Sequence, residues 1–292
     1  MRTLTCTGIA LVAFASNSVL CRLALGKAAI DAASFSTIRL SSGAAMLSLI
    51  TVLKGKGFST PRGNWTSATL LFLYAIAFSL AYVSLSAGAG ALILFGSVQA
   101  TMIIAALWSG ERPHLLGWVG LFLALTGLVY LVFPGLKTPP LTKSALMAIA
   151  GVSWGFYSLR GRGTRDPLSD TTNNFVRSLP LIIAVNLIML GSAFVSAKGL
   201  LLAVLSGALA SGLGYVVWYT ALKGLTTTRA ATVQLAVPVL AAGGGVIFLS
   251  EDISLRLLLS AIMILGGVGL ALAGRERPVN TQSAEVRVAK DE

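Results

Sequence analysis

The sequence is poor in the residues that carry most enzyme chemistry. Its 292 residues include one histidine, two cysteines and ten acidic side chains. One His114, two isolated cysteines and no paired acids leave no zinc constellation, no aspartate-rich cation motif and no nucleophilic triad. An enzyme is therefore not expected, nor a metal or other cofactor. Cys6 and Cys21 stand 15 residues apart in the first apolar segment, about 22 Å along a helix at about 1.5 Å per residue, which is too far for a disulfide.

Charge is also scarce, at 11% of residues against 55% hydrophobic, with a mean hydropathy of +0.85. Soluble domains carry more than twice that share of charge, so the bilayer is the expected solvent. The net charge of +12 would suit nucleic acid if the basic residues formed one patch with interleaved aromatics. They lie instead between long apolar runs, which excludes nucleic acid as a partner and reads as membrane topology.

What is present in abundance is apolar sequence of membrane-spanning length. Ten runs bounded by charge, Pro or Gly clusters read as transmembrane helices at 4–25, 33–53, 65–86, 90–109, 115–133, 143–160, 172–194, 200–222, 230–249 and 255–273. The connections are mostly too short for a soluble domain. Residues 274–292 read as a polar, poorly ordered tail.

An offset of 140 residues aligns the two halves. Ile9, Ala10, Val12, Ser18 and Arg22 recur as Ile149, Ala150, Val152, Ser158 and Arg162; Glu111, Leu115, Leu125 and Gly127 recur as Glu251, Leu255, Leu265 and Gly267. One offset serving both ends of a five-span unit predicts an internal repeat, 4–133 and 143–273. The opening stretch "MRTLTCTGIALVAFASNSVL" has the outline of a cleaved signal peptide, but its partner in the second half makes it a retained span.

The positive-inside rule sets the expected orientation. With both termini cytoplasmic, 15 Lys and Arg fall inside, including Arg160, Arg162, Arg165 and Arg177, and 7 fall outside, including Arg22 and Arg39. Five spans per unit is odd, so the second unit enters from the opposite side and the repeats are inverted. Inverted repeats place a substrate site near the midplane between the halves. The expected fold is an all-α integral membrane protein of ten transmembrane helices in two inverted five-helix repeats. Glu111 and Glu251 lie at span ends, where capping of the next helix is the ordinary role.

Ten spans as five plus five, with "WSGERPHLLGWVGLFLALTGLVYLV" after span 4 and "VPVLAAGGGVIFLSEDISLRLLLSAIMILGGVGLALAG" after its counterpart, resemble the drug/metabolite transporter superfamily and its EamA-type repeat. The likeness rests on the Glu-to-Gly spacing in each half (Glu111 to Gly127, Glu251 to Gly267), on Pro238, and on Phe14 and Trp154 near the start of each unit. The first half departs from the pattern, with Val98 where the second has Pro238 and "SAGAGA" where a Pro-containing turn is usual. Within the superfamily the pattern is similar to the YddG-type bacterial exporters of aromatic amino acids. The resemblance implies an inner-membrane carrier that exports small amphipathic metabolites by alternating access. A multidrug-type exporter and a non-transporting membrane scaffold or receptor are the alternatives.

All ten acidic residues fall in loops, at span boundaries or in the tail. Proton-coupled carriers and cation exporters usually keep an ionisable group at depth despite its cost of about 2.5 kcal/mol or more. Facilitated movement down a substrate gradient is therefore expected. What remains at depth is neutral or aromatic, and the candidate substrate-binding residues are Asn17, Ser18, Phe78, Tyr82, Gln99, Trp154, Tyr157, Tyr215, Trp218, Tyr219 and Gln234. Tyr74, Phe78 and Tyr82 share one helix face. Trp154 lies six residues from Arg160, about 9 Å deep at about 1.5 Å per residue, which is below the interfacial belt. Tyr157 fits either an anchor or the site. Gln99, near the centre of its span, must face the cavity or another helix to find a partner. Arg22 and Arg39 lie one to two turns inside the outer ends of their spans. Snorkelling to the headgroups is the ordinary reading, and a positive field at the outer mouth that receives a substrate carboxylate is the sharper one.

Overall fold

The computed structural model describes residues 2–26, 28–55, 64–85, 87–111, 114–132, 140–249 and 255–273. These residues form ten helical rods. They are α1 (Arg2–Leu25), α2 (Ala32–Leu53), α3 (Trp65–Tyr82), α4 (Ala87–Trp108), α5 (Leu115–Val132), α6 (Leu141–Gly161), α7 (Pro167–Ile188), α8 (Ala197–Leu222), α9 (Thr227–Phe248) and α10 (Leu255–Ala273). Glu251 and the tail 274–292 lie outside the described residues.

The starts of several rods are written in local sequence. Asp31 caps α2 by accepting from the N–H groups of Ala33 and Ser34, Asn64 caps α3 through Ser67, and Ser196 caps α8 through Gly199. The seventh span is displaced from 172–194. It begins at Pro167, whose fixed φ suits a first helical position, directly after the capping Asp166. It ends at Ile188, followed by a 3₁₀ turn at Leu190–Ser192 and an extended stretch where Val195 pairs with Ile30.

Five rods (α1, α2, α3, α8 and α9) are long and apolar enough to cross a membrane by length and composition. The remaining rods are not among them. Polar, aromatic and charged residues dilute α6 and α7, whose sequences include Trp154, Tyr157, Asn173, Asn174 and Arg177. Buried Trp154, Tyr157 and Asn174 face the protein interior, so hydropathy understates both helices.

Two rods are irregular. Leu235 interrupts α9 three residues before Pro238, which has no N–H for the Gln234 carbonyl. Ser206–Leu213 of α8 winds as a π-helix, a rare geometry often found at functional sites.

The rods pack in matched pairs. α3 packs on α6 and α1 on α8; α4 on α6 and α1 on α9; α2 on α8 and α3 on α7; α2 on α7, α4 on α9 and α5 on α10 pack with one another. Exchanging each helix with the one five places along maps these contacts onto themselves. Gly120 and Gly267 let α5 and α10 touch backbone to backbone. A Cβ on either would lie 2.4 or 2.5 Å from the other's carbonyl oxygen.

Candidate functional site

Ten aromatic rings from five helices form one connected cluster at the centre of the bundle. Trp154 is its hub. Its ring lies 4.8 Å from Tyr215, 5.1 Å from Phe14, 5.1 Å from Tyr74 and 5.8 Å from Tyr157, centroid to centroid. Phe14 and Trp154 are paired by the 140-residue offset and meet edge to face at 87°. Two positions that the offset aligns thus touch each other. The helix-face reading of α3 holds, with Tyr74 5.6 Å from Phe78 and Phe78 4.6 Å from Tyr82.

Tyr157 is fully buried and packs on Trp154, Tyr215 and Tyr219. It belongs to the cluster and not to an interfacial belt. Trp218 donates to Ser158 Oγ at 3.2 Å, and Tyr219 donates to the Tyr157 carbonyl at 3.1 Å. These bonds satisfy the polar tips of two rings that otherwise serve as apolar surface.

The amides bracket the rings. Trp154 Nε1 donates to Gln234 Oε1 at 2.7 Å, while Gln234 Nε2 turns back to the Ala230 carbonyl. Gln99 donates to the Ala231 carbonyl at 2.6 Å, tying α4 to the α9 segment before its break, and its Oε1 is buried without a partner. Asn17 is buried and accepts from Ser206 at the start of the π-helix. Ser18 stands apart. It is half-buried, and its hydroxyl bonds back to the Phe14 carbonyl of its own helix at 3.3 Å.

Arg39 departs most from its ordinary sequence reading. Its side chain does not snorkel; the residue is 1% exposed. Nε donates to Ser211 Oγ at 2.8 Å and one terminal nitrogen donates to Tyr215 Oη at 2.7 Å. The guanidinium also lies over the rings of Tyr74 and Phe78, 5.3 and 5.8 Å from their centroids. Phe175, 5.8 Å from Tyr215, completes this side of the cluster. The sequence offers Arg39 only as a charge at the outer mouth, not as a member of the ring cluster, and Phe175 is not among the sequence candidates. Arg39 was visible as a charge within a span, a signal that marks function in membranes; Phe175 carried no signal of its own.

The bundle end carrying Arg160 and Arg162 holds a clasp and a cavity. Glu111 accepts from the backbone N–H groups of Thr227 and Thr228 at 2.8 and 3.1 Å and pairs with Arg162 at 3.2 Å. It therefore caps α9. Burial pushes its carboxyl upward in pKa, but the bonds from Thr227 and Thr228 and the Arg162 charge outweigh this and hold it below its ordinary value. A depressed carboxyl stabilises the fold above the unfolded carboxylate range, and the contribution is lost as pH falls through the folded value. The melting temperature of the detergent-solubilised protein is expected to fall as pH drops below about 4.3. Glu111→Gln should melt lower at pH 7 and show a smaller acid-dependent loss; matched curves at both pH values would remove this role.

Beside the clasp, a cavity of about 330 Å³ lies among α3, α6, α7 and α8. Asn64, Ser67, Arg160, Asp170, Asn174 and Tyr219 contribute to its walls. Tyr219 is shared with the aromatic cluster, so the cavity reaches the cluster from this end. At the opposite end the loops join. Ser196 donates to the Ala29 carbonyl at 2.7 Å, and Asp31 accepts from the Phe194 N–H at 2.8 Å. Burial raises the Asp31 carboxyl, but N–H bonds from Ser34, Phe194 and Ala33 bring it below its ordinary value.

The comparisons with known proteins match this architecture. The model of the EamA-like transporter family matches residues 142–273. An EamA-like transporter domain therefore occupies the second half of the chain. It is 49% identical over 274 residues to an uncharacterized protein of Pseudomonas aeruginosa, covering 94% of this chain and 96% of that one. It is also 30% identical over 184 residues to the threonine/homoserine exporter RhtA of Escherichia coli, covering 60% of each. A crystal structure with 20% sequence identity superposes with a TM-score of 0.77, over 93% of this chain and 97% of the other. This EamA-type chain is accordingly a multi-pass membrane protein of the drug/metabolite transporter superfamily with the fold of that solved structure.

Proposed function

We propose that this chain is a facilitative exporter of small amphipathic metabolites, aromatic and other neutral amino acids foremost, working by alternating access. The observation that carries the reading is the buried ring cluster around Trp154, contributed by both halves of the chain and flanked by amides. Rings provide stacking and apolar contact for a side chain, and the amides and helix ends provide polar partners. The halves are 4–133 and 143–273, arranged as inverted five-helix repeats in an inner membrane with both termini cytoplasmic. The matched helix contacts and the meeting of Phe14 with Trp154 support the repeat. In this orientation the cavity beside Arg160 and Tyr219 is the cytoplasmic mouth.

Uptake of labelled Phe, Trp, Thr and Lys into proteoliposomes, with and without a pH gradient, tests substrate and coupling together. Phe and Trp are expected above empty liposomes, Lys at background, and rates independent of the gradient. Background uptake of Phe and Trp would end the aromatic reading, and a required gradient would end the facilitative one. The similarity to RhtA favours a second reading with polar amino acids as substrates, which predicts Thr above Phe in the same assay.

A further inference from the structure

Arg39 sits 3.5 residues from the midpoint of the 22-residue helix α2, about 5 Å from it along the axis at about 1.5 Å per residue. A guanidinium presents five N–H donors. Those on Nε and Nη2 meet the hydroxyls of Ser211 and Tyr215, with Tyr74 Oη at the outer limit of 3.5 Å. Nη1 is buried and has no partner. None of these partners is an anion, so a full positive charge stands at the centre of the bundle against neutral groups. Burying a charge without a counter-ion is costly, and a purely structural tie between α2 and α8 could be made by neutral groups.

We infer that Arg39 is the carboxylate anchor of the substrate site, with Nη1 as the free donor. A single cation matches a monoanion better than a doubly charged phosphate. The rings of Tyr74 and Phe78 beneath the guanidinium, and Trp154 beside Tyr74, give the remainder of that monoanion an apolar wall. Among the described residues the acids Asp31, Glu111, Asp166 and Asp170 lie in loops or at helix starts, and the other six fall outside the apolar cores of the spans in the sequence, so no acid is expected at this depth to await a substrate ammonium. The substrate class is a carboxylate with an apolar or aromatic body: its carboxylate is required and its amine dispensable. This inference rests on the carrier reading above and sharpens it.

The test is direct binding to the purified full-length chain in detergent, read by intrinsic tryptophan fluorescence. The probes are two acid and amide pairs, phenylalanine with phenylalaninamide and threonine with threoninamide, plus 3-phenylpropionate. A hydrogen bond to a charged group predicts that each bound acid outranks its amide by about tenfold or more, and that 3-phenylpropionate binds as phenylalanine does. In Arg39→Gln the acid-to-amide ratio should fall to about one, and Arg39→Lys, which keeps the charge, should retain part of it. If Arg39→Gln does not fold, the wild-type ratios and Arg39→Lys decide. Acids and amides binding alike in the wild type, or a ratio surviving in Arg39→Gln, overturns the anchor and leaves the carrier reading standing. Binding of none of the five probes removes the amino acid reading and the anchor with it.

Discussion

Alanine in place of Trp154 is expected to cut the initial rate of phenylalanine uptake into proteoliposomes by about tenfold or more, since one aromatic contact contributes up to about 1.5 kcal/mol and tenfold corresponds to about 1.4 kcal/mol. Trp154 touches four rings and holds Gln234 by its indole N–H, so its removal empties the hub and frees an amide acceptor. The same change opens a cavity, with a typical cost of about 3–5 kcal/mol for Phe or Trp to Ala. Stability and transport must therefore be read separately. Trp154→Phe separates them: it keeps a ring for stacking but leaves Gln234 Oε1 unpaired, at about 1–3 kcal/mol. Its uptake should fall between wild type and Trp154→Ala, at equal amounts of reconstituted protein. Wild-type uptake by Trp154→Ala would show that the cluster is packing alone.

The second large effect is mechanical. Gly207 lies at the start of the π-helical part of α8, where an added Cβ would stand 2.0 Å from the Arg39 carbonyl oxygen and 2.1 Å from Ser42 Oγ. Backbone cannot rotate away as a side chain can, so Gly207→Val must part α2 from α8 and strain the Arg39 bond to Ser211. Overpacking of about 1–3 kcal/mol corresponds to roughly 3–10 °C in melting temperature for a chain of this size. Gly96→Ala is the matched control. Nothing lies within 4 Å of its added Cβ, and Ala exceeds Gly in a helix by up to about 1 kcal/mol. Thermal melts of the two variants in detergent should move in opposite directions, and equal melts would mean that α2 and α8 are not held by this contact.

The two carboxylates at the bundle ends show how local and distant information differ. Asp31 caps the helix that follows it, as its position before an apolar run implies. Glu111 occupies the same kind of position, yet it caps α9, more than a hundred residues away in sequence. A capping signal in sequence identifies an acceptor but not which helix end will present the donors.

The membrane character, the helical class, the near-complete set of rods and most of the aromatic cluster were legible in the sequence. Each follows from length, hydropathy or i, i+4 spacing, which are properties of a segment taken alone. Hydropathy could not say that α6 and α7 would be packed inside the bundle, because burial among other helices and exposure to lipid favour different compositions. Tertiary structure alone decided that Tyr157 joins the rings, that Ser18 spends its hydroxyl on its own helix, and that Phe175 reaches Tyr215. It also decided the fate of Arg39. An arginine about two turns into a span has a stem that can reach toward water or turn inward, and the sequence is the same in both cases. The choice was made by Ser211 and Tyr215 of α8, 172 and 176 residues distant, whose hydroxyls stand where the guanidinium can bond only by staying inside.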